Sequence, residues 1–251
     1  MEAKRQVARI EKVAGTDDQV NQIMSLMNID DKDKRIVVVV HGEGGIGKTT
    51  LAKLVYNQVS CDFDGCSFLA DIKEATQVLG GLQLLQTKLI SDVLKRELED
   101  VAFVSRGTEF FRDSLCNMRV FIILDDVKNA FHVQKLIGDC FDRFASGSRI
   151  LVTTRNSVVL EESPQIRTYH VSRLDKDQAL QLLRRHASIP TSSSRSNFEL
   201  WNDALNAMAG LPLLIEVMGA FLDIKARRKL YELLREFIFW KRDFQMQFGL
   251  P

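Results

Sequence analysis

Apolar residues in this chain fall into short solid runs, separated by stretches in which they recur every three or four positions. The solid runs are Ile36–Val40 (IVVVV), Cys66–Ile72 (CSFLADI), Val120–Leu124 (VFIIL), Arg149–Thr154 (RILVTT) and Thr168–Val171 (TYHV). The first is almost wholly β-branched and bounded by charge and glycine, the pattern of a parallel strand buried on both faces. Between the runs lie helical stripes. Val20, Ile23, Met24 and Met27 form one face of a helix within Val13–Met27, behind a Gly-Thr-Asp start. Leu82, Leu85, Leu89 and Val93 form a second, and Phe131, Leu136 and Ile137 a weaker third. Strands alternating with helices predict an α/β fold with a mostly parallel sheet flanked by helices.

Beyond Ser172 the strand pattern stops. Asp175, with Gln178 three residues on, reads as a capping box opening a helix through LDKDQALQLLRRHA. IPTSSSRSN (Ile189–Asn197) is a polar loop, and helices are expected over Phe198–Ala209, Leu213–Leu222 and Arg227–Trp240, the first two parted by AGLP. The division is therefore an α/β domain over 13–172, a small all-helical domain over 173–240, and flexible or atypical ends at 1–12 and 241–251.

Composition changes this picture little. Of 251 residues, 45% are hydrophobic and 27% charged, ordinary for a globular protein. Lys plus Arg number 34 against 33 Asp plus Glu, a net charge of +1, so no bulk field favours nucleic acid. Cys61, Cys66, Cys116 and Cys140 make no CxxC pair, and read as reduced thiols filling core or subsurface positions in a cytosolic protein. The N-terminus has no secretory apolar region and no run approaches membrane-spanning length.

The chemistry begins at His41. HGEGGIGKTTLAKLVYN follows the first strand and satisfies G-x-x-x-x-G-K-[ST] at Gly42, Gly47, Lys48 and Thr49. Glycines let the loop turn its amides inward and approach phosphate without Cβ atoms, and the following helix adds its positive end. Lys48 is placed to neutralise β- and γ-phosphates, and the Thr49 hydroxyl to ligate Mg²⁺. The candidate nucleotide-binding segment is Gly42, Gly44, Gly45, Ile46, Gly47, Lys48, Thr49 and Thr50.

Two further strand ends bear on the same site. VFIILDDV closes in Asp125 and Asp126; a carboxylate there can reach Mg²⁺, and its neighbour can position or deprotonate a water. The alternative is a surface turn. GSRILVTTR ends in Thr153, Thr154 and Arg155, so Arg155 either senses a γ-phosphate or merely caps a strand. Pro212, in AGLPLLIEVMGAFL, marks either a loop lying against a base or a corner between helices.

In this order the four blocks GEGGIGKTTLAKLVYN, FIILDDV, GSRILVTTR and GLPLLIEVMGAFL resemble the NB-ARC domain of plant nucleotide-binding leucine-rich-repeat immune receptors. FDGCSFLADIKE (Phe63–Glu74) and Lys128 after LDDV resemble the subclass with an N-terminal TIR domain. The resemblance runs from Val13 to Tyr231. It implies a P-loop NTPase with five parallel strands, the ILVTT strand lying between the phosphate-loop and FIIL strands, followed by a helical ARC subdomain. It implies a STAND-type switch that holds ADP at rest and ATP when active, with Mg²⁺. On that template Thr49 and Asp125 serve the metal, Asp126 is the water-activating acid, Arg155 the γ-phosphate sensor, Pro212 packs near adenine, and Val13 supplies a base contact.

Glu43 and His41 depart from the family pattern, which has an apolar and an aromatic residue there. The resemblance further implies that the second ARC subdomain with its Met-His-Asp block, the leucine-rich repeats and the TIR domain lie outside this chain, as partners alongside sibling receptors. Lys225–Asp243 alternates basic residues with aromatics, and reads as the last helix of the helical domain or as a membrane-surface or calmodulin-type helix. Three functions stay open: a slow switch, at most a slow Mg²⁺-dependent ATPase; a working AAA+-like ATPase; and a non-enzymatic, ADP-bound adaptor. The expected location is cytoplasmic or nucleo-cytoplasmic.

Overall fold

The computed structural model describes residues 15–95, 117–156, 160, 163–186 and 204–225. Val13, both chain ends, the polar loop Ile189–Asn197 and the expected helix Arg227–Trp240 lie outside them. The described chain divides into two compact units: one holds Thr16–Gly44 and Lys48–Val171, the other Gly15, Gly45–Gly47 and the residues from Ser172 on.

In the first unit the apolar runs become β1 (Ile36–His41), β2 (Gly65–Leu69), β3 (Val120–Val127), β4 (Arg149–Thr154) and β5 (Ile166–His170). All pair in parallel, in the order β2-β3-β4-β1-β5. The RILVTT strand thus sits between the phosphate-loop strand and the FIIL strand. The second run is shorter than its apolar pattern: Asp71 adopts a left-handed φ of 50° and Ile72 opens a one-turn helix, α3 (Ile72–Ala75).

Side-chain alternation gives β1, β3 and β4 two buried faces, while the edge strand β5 has no fully buried residue. Val37, Val39, Ile122, Leu124, Ile150 and Val152 meet Leu85, Leu89 and Val93 of α4 (Gly81–Leu94) and Val133 and Leu136 of α5 (Ala130–Leu136). The other face is covered by α1 (Thr16–Met27) and α2 (Lys48–Val59), where Tyr56 and Phe63 stack on Phe121 at 5.8 and 5.3 Å. Each such aliphatic or aromatic side chain contributes about 1.5–3 kcal/mol on burial. Phe131 departs from its expected stripe: it is 54% exposed, with the Lys135 ammonium over its ring. Asn129 caps α5 by accepting from the His132 amide, and the inward positions fall to His132, Val133 and Leu136.

One buried charge organises the edge below the sheet. Arg149 is wholly buried, and its guanidinium donates to the carbonyls of Met27, Asn28, Asp31, Lys34 and Ser148. Arg167 donates to Leu26 O and Arg119 to Ile29 O. Two strands, and the residue just before a third, thereby satisfy carbonyls at and just beyond the end of α1, where a helix leaves acceptors unpaired and a cation meets the negative end of its dipole.

The second unit is helical. α6 (Lys176–His186) opens on the expected capping box: Asp175 Oδ1 accepts from Gln178 N–H at 2.8 Å, and Gln178 Oε1 accepts from Asp175 N–H at 3.1 Å. Residues 204–208 are helical, and Ala209 and Gly210, at φ 49° and 68°, turn the chain into α6's partner α7 (Pro212–Lys225). Pro212 therefore occupies a first helical turn, where its missing N–H costs nothing. Leu174, Leu182, Leu183, Ala204, Met208, Ile215 and Met218 form the core. Among the described residues no helix is long and apolar enough to cross a membrane.

Candidate functional site

The phosphate loop is the turn between β1 and α2. Gly45 at φ 78° and Gly47 at φ 101° take left-handed conformations that any side chain would strain. Ile46 between them is buried. Glu43 is exposed, which keeps its carboxylate in water. Gly45 belongs to the helical unit, where its carbonyl accepts from Leu213 N–H at 3.2 Å.

Lys48, the first residue of α2, is buried, and its ammonium donates to Gly42 O at 2.8 Å and Glu43 O at 2.7 Å. Burial, then the Arg155 charge, hold its pKa below the usual lysine value, with Asp126 and Asp125 opposing. A cation folded across the loop's own carbonyls is the arrangement that a phosphate oxygen would complete. Thr50 lies in the same first turn, half-buried.

Thr49 reaches the acid strand. Its hydroxyl stands 2.9 and 3.1 Å from the two Asp125 carboxylate oxygens. Asp125 is nearly wholly buried at 1% exposure; burial pushes its pKa above the usual carboxylate value, while hydrogen bonds from Thr153 and Thr49 pull the other way. A hydroxyl and a carboxylate are hard oxygen donors and fit Mg²⁺, which takes one or two protein oxygens and completes its shell with phosphate and water. Among the described residues there is no group of three or more His, Cys, Asp or Glu that could hold a metal ion by itself.

Asp126 is brought to the same rim by a bulge. Leu124 pairs with Val152 and Val127 with Thr154, so two residues of β3 oppose Thr153 alone. Asp126 carries the bulge at φ 53°, and its carboxylate stands 4.0 Å from Arg155 Nε. The Arg155 side chain is 63% exposed, so this pair adds little stability. A Cβ on Gly44 would lie 3.2 Å from Arg155 Nη1, so the guanidinium rests directly against the loop. Gly44, Lys48, Thr49, Asp125, Asp126 and Arg155 thus lie together at one rim of the sheet, while Pro212 belongs to the helical unit.

Further side chains shape the surroundings of the site. Thr153 bridges the two acids, donating to Asp125 Oδ1 at 2.6 Å and accepting from the Asp126 amide at 2.9 Å. His170 lies beside His41, with ring centroids 5.1 Å apart on register-paired strand ends. Burial, His170 and Lys48 together lower the His41 pKa. Only the pairing of β5 with β1 could have revealed that neighbour. Of the cysteines, Cys66 is half-buried, its thiol pushed up to about 12 by burial, as a subsurface filler should be. Cys61 is exposed, contrary to expectation, because it falls in the one-turn 3-10 helix Ser60–Asp62 that has no buried side chain.

The NB-ARC domain family matches residues 16–192. Disease resistance protein RPV1 of Vitis rotundifolia is 34% identical over 216 residues, covering 84% of this chain and 15% of that protein. TMV resistance protein N of Nicotiana glutinosa is 33% identical over 226 residues, covering 87% of this chain and 19% of that protein. The chain thus spans less than a fifth of the length of these relatives. In fold it is similar to AMPPCP-bound DnaA from Aquifex aeolicus, with a TM-score of 0.57 at 15% identity, over 94% of this chain and 69% of that one.

Proposed function

The chain belongs to the NB-ARC family, and we propose that this nucleotide-binding module is the ADP/ATP switch, of the STAND type, of a plant innate immune receptor. The observation that carries the reading is the Thr49–Asp125 hydrogen bond, which joins a phosphate loop to an acid strand through hard oxygen donors. Lys48 and the loop amides hold the phosphates; Thr49 and Asp125 hold Mg²⁺. The metal would neutralise charge between the outer phosphates.

Asp126 orients or deprotonates the attacking water, and Arg155 reads the γ-phosphate. Contacts to the base are assigned to Pro212 and Val13 by the family resemblance alone. The disease-resistance names of the relatives support a role in defence signalling. The partners are then TIR and leucine-rich-repeat domains or sibling receptors, the location is cytoplasmic or nucleo-cytoplasmic, and hydrolysis is slow. The functional division is a nucleotide domain over 13–172 and a helical ARC subdomain over 173–240.

The test is to release and identify the nucleotide that copurifies with the chain, then follow its exchange. ADP that exchanges for ATP in the presence of Mg²⁺, with slow turnover, supports the switch. Rapid multiple turnover identifies a working ATPase instead. ADP that neither exchanges nor hydrolyses identifies an adaptor, and failure to bind ADP or ATP at all overturns the site.

A further inference from the structure

We propose that Thr153 is a positioning residue for the metal site: its hydroxyl ties the Asp125 carboxylate to the Asp126 main chain across the β3–β4 bulge and so aims both acids at once. This rests on the reading of Asp125 as the metal-assisting acid. The geometry is specific. Thr153 is 1% exposed and is the single β4 residue facing the two-residue bulge. Its hydroxyl accepts the Asp126 N–H that the broken ladder leaves over, and donates its own proton to Asp125 Oδ1. One side chain thereby does two things that regular pairing cannot. It satisfies a part-buried amide at a left-handed residue, and it takes up one carboxylate lone pair so that the remaining oxygen surface points toward Thr49.

The neighbouring threonine shows that the arrangement is not general to the segment. Thr154 donates to Val127 O at 2.8 Å and accepts from Asn156 N–H at 3.1 Å, binding backbone only. A valine at position 153 would fill the same volume and preserve β propensity, yet leave the Asp126 amide unpaired and the Asp125 carboxylate free to turn.

The experiment uses the full chain and a fluorescent ADP or ATP analogue, titrated with Mg²⁺, for wild type, Thr153→Val and Thr153→Ser. Hydrogen exchange at the Asp126 amide is followed in parallel. Wild type should bind ATP more tightly as Mg²⁺ is added. Thr153→Val should bind ADP without metal within about twofold of wild type but need about tenfold more Mg²⁺ for half-maximal effect, the equivalent of one charge-assisted hydrogen bond. It should also exchange the Asp126 amide faster, and Thr153→Ser should restore both. Should valine disturb packing, Thr153→Ala removes the hydroxyl without added bulk and must give the same metal dependence. An unchanged Mg²⁺ requirement in the folded hydroxyl-free variants overturns the positioning role. A wild-type chain whose nucleotide binding ignores Mg²⁺ overturns the reading of Asp125 itself, and the role built on it, before any substitution is compared.

Discussion

The guanidinium of Arg149, on β4, donates to the carbonyl of Met27, the last residue of α1, more than a hundred positions earlier in the chain. Four further carbonyls accept from the same group, and burial lowers its pKa, with Arg119 and Arg167 acting in the same direction. A fork of donors fixed in a plane suits this ring of acceptors, and a lysine ammonium does not. Arg149→Lys should therefore destabilise the chain by about 2–4 kcal/mol, on the scale of lost charged hydrogen bonds and unpaired buried carbonyls. Urea unfolding would measure it, and a cost below about 1 kcal/mol, within the range of surface substitutions, would mean the clamp is incidental.

Lys48→Ala removes the one buried ammonium that spans Gly42 O and Glu43 O. We expect ADP and ATP affinity to fall by about a hundredfold, in line with losing charge-assisted contacts to two phosphates. Calorimetric titration checks it; wild-type affinity would sink the phosphate assignment.

Gly45 and Gly47 separate backbone strain from steric conflict. Both have positive φ, but a Cβ on Gly47 meets nothing within 4 Å, whereas one on Gly45 would lie 2.8 Å from Leu213 Cβ. Gly47→Ala should cost about 1–2 kcal/mol of folding stability from strain alone. Gly45→Ala should cost more, and equal costs in denaturant unfolding of the nucleotide-free variants would contradict this.

Acid should weaken the fold through two imidazoles. His41 and His132 both have pKa values lowered chiefly by burial, and His132 Nδ1 is buried without a hydrogen-bond partner. Near and below the ordinary imidazole value of about 6.5, the unfolded chain then binds more protons than the folded one. Stability therefore rises with pH through that window, is complete above it, and is lost as pH falls. Unfolding followed from pH 5.5 to 7.5 should show this slope, and His41→Phe should flatten part of it. An unchanged slope would exclude His41 as a contributor.

Legibility followed the range over which each feature is determined. Asp175 and Gln178 are three residues apart and close their reciprocal cap as the sequence pattern says; replacing Asp175 by Ala should cost about 0.5–2 kcal/mol. The phosphate loop and the acid strand were equally local, each a motif with its own strand beside it. Arg149, by contrast, reads as a charged residue flanking a strand, because its acceptors belong to a helix end fixed only by tertiary packing. The bridging role of Thr153 was hidden for a related reason. It depends on register between β3 and β4, and the bulge that creates it leaves no mark in residue type. His170 needed the pairing of β5 with β1 before it could be seen beside His41.

The bulge also separates two kinds of sequence change that look alike in an alignment. In an unbroken strand Asp125 and Asp126 would project from opposite faces of the sheet, and no choice of side chain would bring both to one rim. Substituting either acid alters chemistry but keeps the spacing. Deleting either one restores two-residue alternation and closes the ladder from Leu124 to Val127 opposite Val152 and Thr154, so Val127 keeps its face while a single acid is left opposite Thr153. Length at this point is thus as much a determinant of the site as composition, and a homologue with a single acid here should be judged first by whether a residue has been exchanged or lost.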